Sequence, residues 1–148
     1  MLKRKIQGEI LVSLKAKDQI RLDVLRFILS LINYAEIDKH KELTDEEVIS
    51  VLQKEEKKRI EAVEIFKKAQ RLENIEEEQK QIDIIKSFLP VQLSVAELEI
   101  IVDETIANAS PNPQIGQIIG AVMGELKGKA DGSLVASLVR QKLSTKSS

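Results

Sequence analysis

The positions of the helix breakers constrain the fold of this 148-residue chain more than any other sequence feature. All three prolines lie beyond residue 89, and five of the six glycines lie between residues 116 and 132. Glycine and proline are the residues that most disfavour a helix interior, so a segment that lacks them favours long helices. The first 89 residues, in which Gly8 is the one breaker, are therefore predicted to form long α-helices.

The spacing of apolar residues is helical throughout the chain. A stripe near the N-terminus recurs in steps of four: Ile6, Ile10 and Leu14. The next helix, capped by Asp18, is apolar on nearly all sides, which is typical of a central helix, and one of its core faces is expected to include Phe27 and Tyr34. Because no segment alternates apolar and polar residues as a strand does, the predicted fold class is all-α.

A capping box marks the start of the third helix. Thr44 can accept a hydrogen bond from the Glu47 amide while the Glu47 side chain reaches back to Thr44. Between Leu52 and Ile60 the apolar stripe is interrupted by Glu56. The prediction is that this helix leaves the core at Glu56 and, with the helix after it, forms a long charged hairpin in solvent.

Pro90 marks a predicted domain boundary, because proline restricts its own backbone and that of the residue before it. The predicted domains are an N-terminal helical bundle (1–90) and a small three-helix domain (91–148). The C-terminal domain is expected to begin with a helix capped by Ser94, followed by two short helices at about 114–127 and 132–143.

Composition excludes several classes of chemistry. The chain has no cysteine, which excludes disulfides and thiolate metal sites. Its single histidine, His40, lies in a charged loop with no nucleophile placed beside it, so we expect no catalytic residues, no metal and no cofactor. No apolar run approaches the roughly 20 residues that span a bilayer, so we expect a cytoplasmic protein without membrane contact.

Five glycines spaced by four are the most unusual feature of the C-terminal segment: Gly116, Gly120, Gly124, Gly128 and Gly132. This spacing keeps small residues near one helix face, although each interior glycine costs about 1 kcal/mol relative to alanine. One explanation is close helix packing, with Gly128 as a C-cap and Asp131 as the next N-cap. The other is close approach of a phosphodiester backbone to an exposed glycine surface.

Basic residues give the last part of the chain a positive bias. Residues 110–148 carry five basic and two acidic side chains. The candidate phosphate-binding residues are Lys127, Lys129, Arg140 and Lys142. Basic residues also simply favour helix C-termini, and Asp131 would repel an anion. Because no aromatic residue follows Phe88, a nucleic acid bound here would be recognised by its backbone and shape rather than by base stacking.

Several motifs, in the right order over nearly the whole chain, resemble the YqeY-like proteins of the GatB/YqeY family. The N-terminal ones are Leu25-Arg26, Ala35-Glu36-Ile37, Leu43-Thr44-Asp45-Glu46-Glu47-Val48 and Lys57-Lys58-Arg59. The others are Leu89-Pro90-Val91-Gln92-Leu93-Ser94, residues 116–123 and Lys127-Gly128-Lys129-Ala130-Asp131-Gly132. The chain departs from the family pattern at Lys58 and Ala62, where relatives usually have glutamine and serine.

The resemblance implies a function in RNA binding. The C-terminal half is similar to the tail domain of the GatB subunit of the glutamine-dependent tRNA amidotransferase, a helical module that contacts the body of the tRNA. Family-level labels read carbon–nitrogen ligase with glutamine as amido donor, but the chain lacks the residues for that reaction alone. The implied partners are tRNA, an amidotransferase or another translation-related protein.

Two functional hypotheses stay open on the sequence. The first is a non-catalytic tRNA-binding or amidotransferase-associated module, with the nucleic-acid contacts at Lys127, Lys129, Arg140, Lys142, Gly116, Gly120 and Gly128. The second is a protein–protein interaction module that docks a partner on the long charged hairpin of the N-terminal domain.

Overall fold

The computed structural model describes residues 1–146, and all regular structure in that range is helical, as predicted. Seven α-helices follow one another: α1 (Leu2–Lys15), α2 (Gln19–Lys39), α3 (Asp45–Lys68), α4 (Leu72–Lys86), α5 (Val95–Ala107), α6 (Ile115–Leu126) and α7 (Gly132–Lys146). Contacts divide the chain between Leu89 and Pro90 into two compact units. We call them the N-terminal unit and the C-terminal unit.

The N-terminal unit is built around α2. This helix packs against α1, α3 and α4, which explains why it is apolar on more than one side. Its core combines residues of all four helices and of the segment after α4: Ile6, Val24, Leu25, Ile28, Ile32, Val48, Leu52, Ile85 and Phe88. Lys5 and Arg21 lie over the ring of Phe88, with their charged groups 5.6 Å and 5.8 Å from its centroid.

The predicted helix starts are confirmed. The Asp18 side chain accepts a hydrogen bond from the Arg21 amide (3.2 Å) and caps α2. At the start of α3, Thr44 accepts from the Glu47 amide (3.2 Å) and the Glu47 carboxylate accepts from the Thr44 amide (3.1 Å), which completes the capping box.

Three apolar side chains assigned to the core are instead exposed. In α1, Leu14 is 51% exposed and the neighbouring Ser13 is buried in its place. In α2, Phe27 is 44% and Tyr34 is 72% exposed. The residues buried in α2 are Leu22, Val24, Leu25, Ile28 and Ile32, so the neighbouring helices cover only part of its apolar circumference.

The departure of α3 from the core at Glu56 stays a prediction: Leu52 is the last residue that α3 contributes to the core described above, and α3 packs mainly against α4. Glu55 and Val63, on either side of that position, are both buried. Helix α3 stays packed against α4 and leaves Glu56 half-buried, with its Oε2 buried and without a hydrogen-bond partner. Burial raises the pKa of the Glu56 carboxyl, and the nearby Lys86 opposes that shift.

Two carboxylates tie the end of α2 to the start of α3. Glu36 pairs with Lys3 and accepts a hydrogen bond from the Leu43 amide (2.9 Å), and these contacts lower the pKa of Glu36. Glu47 pairs with Lys39 and accepts from the Thr44 amide, which lowers the pKa of Glu47 to about 2. Both carboxylates are therefore held in their charged form by the fold.

We expect acid to destabilise the N-terminal unit through these two groups. A carboxyl whose pKa is lower in the folded chain stabilises it above its unfolded pKa, near 4.5 for glutamate, and loses that effect as pH falls towards the folded pKa, about 2 for Glu47. The urea midpoint, followed by circular dichroism, should therefore decline between pH 5 and pH 2. Glu47→Gln, which keeps the cap without the charge, should flatten part of this decline, and an unchanged slope would contradict the assignment.

In the C-terminal unit, α5, α6 and α7 each pack against the other two. Ser94 caps α5 by accepting from the Glu97 amide (3.2 Å), and Asp131 accepts from the Ser133 amide (3.2 Å) at the start of α7. The core draws on all three helices and the α6–α7 loop: Leu98, Val102, Ile106, Ile118, Val122, Leu126, Ala130, Val135, Leu138 and Val139.

Candidate functional site

One side of α6 consists of glycines, which have no side chain. Ile118, Val122 and Leu126 are buried in the core, whereas Gly116, Gly120 and Gly124 are exposed on the other side of the helix. Among the described residues, a Cβ added at any of these glycines meets no atom within 4 Å beyond the adjacent residues and the backbone of α6 itself. The structure therefore does not support the first explanation of the glycine spacing, which was close packing of this surface against a neighbouring helix. We call Gly116, Gly120 and Gly124 the glycine face.

A groove of about 430 Å³ runs beside the glycine face, between the end of α5 and α6. Its lining is rich in uncharged polar side chains: Thr105, Asn108, Ser110 and Gln117. The Thr105 hydroxyl donates a hydrogen bond to the Ile101 carbonyl (2.8 Å). Asn108, Ser110 and Gln117 are exposed and offer hydrogen-bond donors and acceptors at the surface. Glu125, also in the lining, is the one charged side chain of this groove.

The loop of residues 127–131, which we call the lysine loop, presents Lys127 and Lys129 at the C-terminal end of the glycine face. Both side chains are exposed, and within the described residues neither forms an ion pair. Gly128 is not the C-cap of α6: that position is Lys127, in the left-handed region with φ of 48°, and Gly128 follows with φ of 85°. Two consecutive left-handed residues turn the chain sharply towards α7.

The lysine loop is fixed by the segment that precedes α5. The Leu93 amide donates to the Lys129 carbonyl (2.8 Å), and the Gln92 side chain donates to the Gly128 carbonyl (3.0 Å). The loop backbone is thus anchored on one side, while the two lysine side chains point into solvent-accessible space.

The remaining predicted site residues lie farther along α7. Arg140 is exposed and about 12 Å along the helix axis from Gly132, where α7 begins. Lys142 pairs with Asp103 of α5 (3.5 Å), so its charge is already partly compensated. The four predicted cations therefore do not form one cluster, and the lysine loop is the part that combines two free ammonium groups.

The expected positive bias is not a property of the C-terminal unit. Helix α5 belongs to the same compact unit and contributes four carboxylates: Glu97, Glu99, Asp103 and Glu104. From Pro90 to Ser148 the sequence has five basic and six acidic residues, a net charge of −1. Any attraction for phosphate is therefore local to the lysine loop and Arg140.

Sequence reasoning missed a second surface, in the N-terminal unit. A groove of about 470 Å³ lies between α2 and α3 and is lined by Leu31, Val51, Lys54, Glu55, Lys57, Lys58 and Glu61. We call it the α2–α3 groove. The sequence signal is the spacing of Val51, Lys54, Lys58 and Glu61, which lie three or four residues apart and therefore share one side of α3.

Arg59 connects three helices beside this groove. Its guanidinium donates to Glu55 of α3 (3.1 Å) and to Gln81 of α4, and it lies over the ring of Phe27 of α2, 5.5 Å from the centroid. Glu55, although buried, is therefore paired through its Oε1 with Arg59.

The described residues contain neither a cluster of metal ligands nor a helix that could cross a membrane. Among them, no group of three or more His, Asp or Glu side chains is placed to hold a metal ion. None of the helices between residues 1 and 146 combines the length and apolarity that a membrane span requires.

The structure is thus that of a two-unit helical protein whose candidate sites are open surfaces. A family model described as YqeY-like protein matches residues 3–143. The chain belongs to this YqeY-like family. It is also similar to a Schizosaccharomyces pombe (strain 972) protein described as uncharacterized: 38% of 89 aligned residues are identical, and the match covers 60% of this chain and 72% of the yeast protein.

Proposed function

We propose that the chain is a non-catalytic helical module that binds tRNA through its C-terminal unit. The observation that carries the proposal is the bare glycine face, which a nucleic-acid backbone can approach without displacing side chains. An interior glycine costs a helix about 1 kcal/mol relative to alanine. Since the glycine face has no packing neighbour within 4 Å, close approach of a ligand is the function that these residues best fit.

The groove beside the glycine face favours RNA over DNA as the ligand. RNA presents a 2′-hydroxyl in a wide, shallow minor groove, and proteins recognise folded RNA by contacts to that hydroxyl and to phosphates. Asn108, Ser110 and Gln117 supply uncharged hydrogen-bonding groups beside the bare helix surface. The site reads backbone and shape, because no aromatic residue is present in the C-terminal unit for base stacking.

Electrostatics supply a limited part of the proposed affinity. Lys127, Lys129 and Arg140 are the exposed cations without an ion pair in the described part of α6, α7 and the loop between them. About three phosphate contacts correspond to a slope of roughly −2 to −3 when the logarithm of the association constant is plotted against the logarithm of salt concentration.

The proposal extends to a translation-related assembly. By resemblance to the GatB tail, the module would contact the tRNA body while an amidotransferase or another partner performs chemistry at a different place. In this proposal the carbon–nitrogen ligase label describes the assembly, and the chain contributes binding rather than a reacting group.

Reversing the charge of the lysine loop is expected to weaken tRNA binding. Lys127→Glu with Lys129→Glu removes two phosphate contacts, so the affinity at about 50 mM salt should fall at least tenfold and the salt slope should flatten by about 2. The measurement is fluorescence anisotropy of labelled bulk tRNA at about 50 and about 200 mM salt.

The matched control for this experiment is Lys67→Glu with Lys68→Glu, at the exposed end of α3. It makes the same charge change in the other unit and should leave the affinity near that of the unmodified chain. No binding of tRNA even at low salt would overturn the proposed function. An unchanged salt slope in the lysine-loop variant would show that the phosphate contacts are not made by Lys127 and Lys129.

A further inference from the structure

The α2–α3 groove joins a row of exposed apolar side chains on α2. Phe27 and Tyr34 lie four residues before and three residues after Leu31, so all three share one helix face. Phe27 is 44% and Tyr34 is 72% exposed, and they are two of the four aromatic residues in the chain. The row is about 10 Å long, or two helical turns.

Three lysines border the groove on α3. Lys54, Lys57 and Lys58 are exposed, and in the described residues none of them forms an ion pair. Of the two carboxylates in the lining, Glu55 is paired with Arg59 and Glu61 lies one turn beyond the lysines. The groove thus combines an apolar floor, from Leu31 and Val51, with a net positive rim, in which three lysines outnumber the one carboxylate that is not paired with Arg59.

We propose that the α2–α3 groove docks an acidic amphipathic helix from a partner protein. Apolar side chains of that helix, spaced by three and four residues, would cover Leu31, Val51 and the Phe27–Tyr34 row. Glutamate or aspartate side chains on its flank would face Lys54, Lys57 and Lys58. Helix-in-groove recognition uses this combination of spaced apolar anchors and charge complementarity at the rim.

The groove fits a protein helix better than a nucleic acid. Phosphates gain nothing from the apolar floor, and Glu61 at the end of the lysine row repels them. The N-terminal unit as a whole has 18 basic and 18 acidic residues, so it carries no general attraction for polyanions. Its apolar row, in contrast, has the length and the helical spacing of a short amphipathic partner.

This inference does not rest on tRNA binding, because it uses residues of the other unit. It places the docking surface on α2 and α3 rather than on the charged hairpin of α3 and α4. The two proposals can therefore fail separately. Variants of the α2–α3 groove should leave tRNA binding unchanged, and variants of the lysine loop should leave peptide binding unchanged.

The test uses synthetic peptides and the full chain. The probe is a fluorescein-labelled 18-residue helical peptide with leucines at positions i, i+3, i+4 and i+7 and glutamates on the flank. One control peptide has the same composition in scrambled order, and another has glutamine in place of glutamate. We expect saturable binding of the acidic peptide, at least threefold weaker binding of the glutamine peptide, and no binding of the scrambled one.

Paired variants of the protein locate the contact. Lys54→Glu with Lys58→Glu should weaken binding of the acidic peptide at least tenfold, whereas Lys67→Glu with Lys68→Glu, on the same helix outside the groove, should not. Tyr34→Ala tests the apolar row and should weaken binding about threefold. Its control is Leu11→Ala, at a residue that is 60% exposed on α1. All six substitutions in these four variants are at exposed positions, and circular dichroism verifies that the variants are folded.

Four results would overturn the inference. The first is no binding of the acidic peptide at millimolar concentration. The second is equal binding of the acidic and scrambled peptides. The third is binding that is insensitive to Lys54→Glu with Lys58→Glu. If dodecanoate or a single-stranded RNA binds with the predicted lysine dependence while the peptide does not, the occupant is not a protein helix and the inference is likewise wrong.

Discussion

Replacing Arg59 with leucine is expected to lower the free energy of unfolding of the N-terminal unit by about 3 kcal/mol. The guanidinium is the partner of the buried Glu55 carboxylate, at 3.1 Å, and also contacts Gln81 and the ring of Phe27. Its removal leaves a buried charge without compensation and breaks a junction between α2, α3 and α4. Urea denaturation of the full chain, with hydrogen exchange in α3 and α4, measures the loss.

A second variant separates the cost of the orphaned charge from the loss of packing. Glu55→Leu with Arg59→Leu removes both charges, so much of the lost stability should return, since apolar replacements of a buried ion pair are often neutral. Arg26→Leu, at an exposed arginine of α2, is the control and should change stability by less than about 0.5 kcal/mol. A loss below about 1 kcal/mol in Arg59→Leu would show that solvent screens this pair.

Local signals in the sequence were sufficient to predict the helices. Each predicted cap lies at the start of its helix: Asp18 at α2, Thr44 with Glu47 at α3, and Ser94 at α5. These features involve residues within three positions of each other, so they depend little on the rest of the fold. The absence of proline and glycine from long stretches of the first 89 residues likewise acts locally, through helix propensity.

The face that each helix buries was harder to predict. Steps of four selected Leu14 in α1, although the neighbouring helix covers Ser13. In α2 apolar residues surround the axis, and the sequence alone does not show that Phe27 and Tyr34 remain on the uncovered side. The Glu55–Arg59 pair has the i, i+4 spacing of an ordinary surface pair, and only the packing of α3 on α4 shows that it is buried.

The charge of the candidate RNA site illustrates the same limit. Residues 110–148 are a basic segment, but this range does not include the carboxylates of α5. Tertiary packing places α5 in the same compact unit, and the unit is then slightly acidic. The positions of Lys127 and Lys129 in one loop follow from the chain itself, whereas the pairing of Lys142 with Asp103 requires the contact between α5 and α7.

Alanine substitutions on the glycine face are expected to change stability and tRNA binding in opposite directions. Gly120 and Gly124 lie within α6, and a Cβ at either position meets no atom within 4 Å. Gly120→Ala with Gly124→Ala should therefore stabilise the C-terminal unit by about 1–2 kcal/mol through helix propensity. In a unit of this size each kcal/mol raises Tm by about 4–8 °C, which calorimetry resolves.

The same two methyl groups should weaken tRNA binding, because they occupy the space that the RNA backbone is proposed to enter. Gly120→Leu enlarges the obstruction and should reduce binding below detection while Tm does not fall. The matched control is Gly8→Ala in α1, where an added Cβ also meets nothing within 4 Å. That change should stabilise the N-terminal unit by about 1 kcal/mol without affecting tRNA binding.

Each explanation of the glycines predicts a different pair of results. If they served close packing, Gly120→Leu would lower Tm, since the added side chain would overfill a contact. If they had no role, the alanine variant would melt at a higher temperature and bind tRNA as before, which would remove the main support for the proposed function. A variant that is more stable and yet binds tRNA more weakly is expected only if the open face of α6 is a contact surface for the RNA.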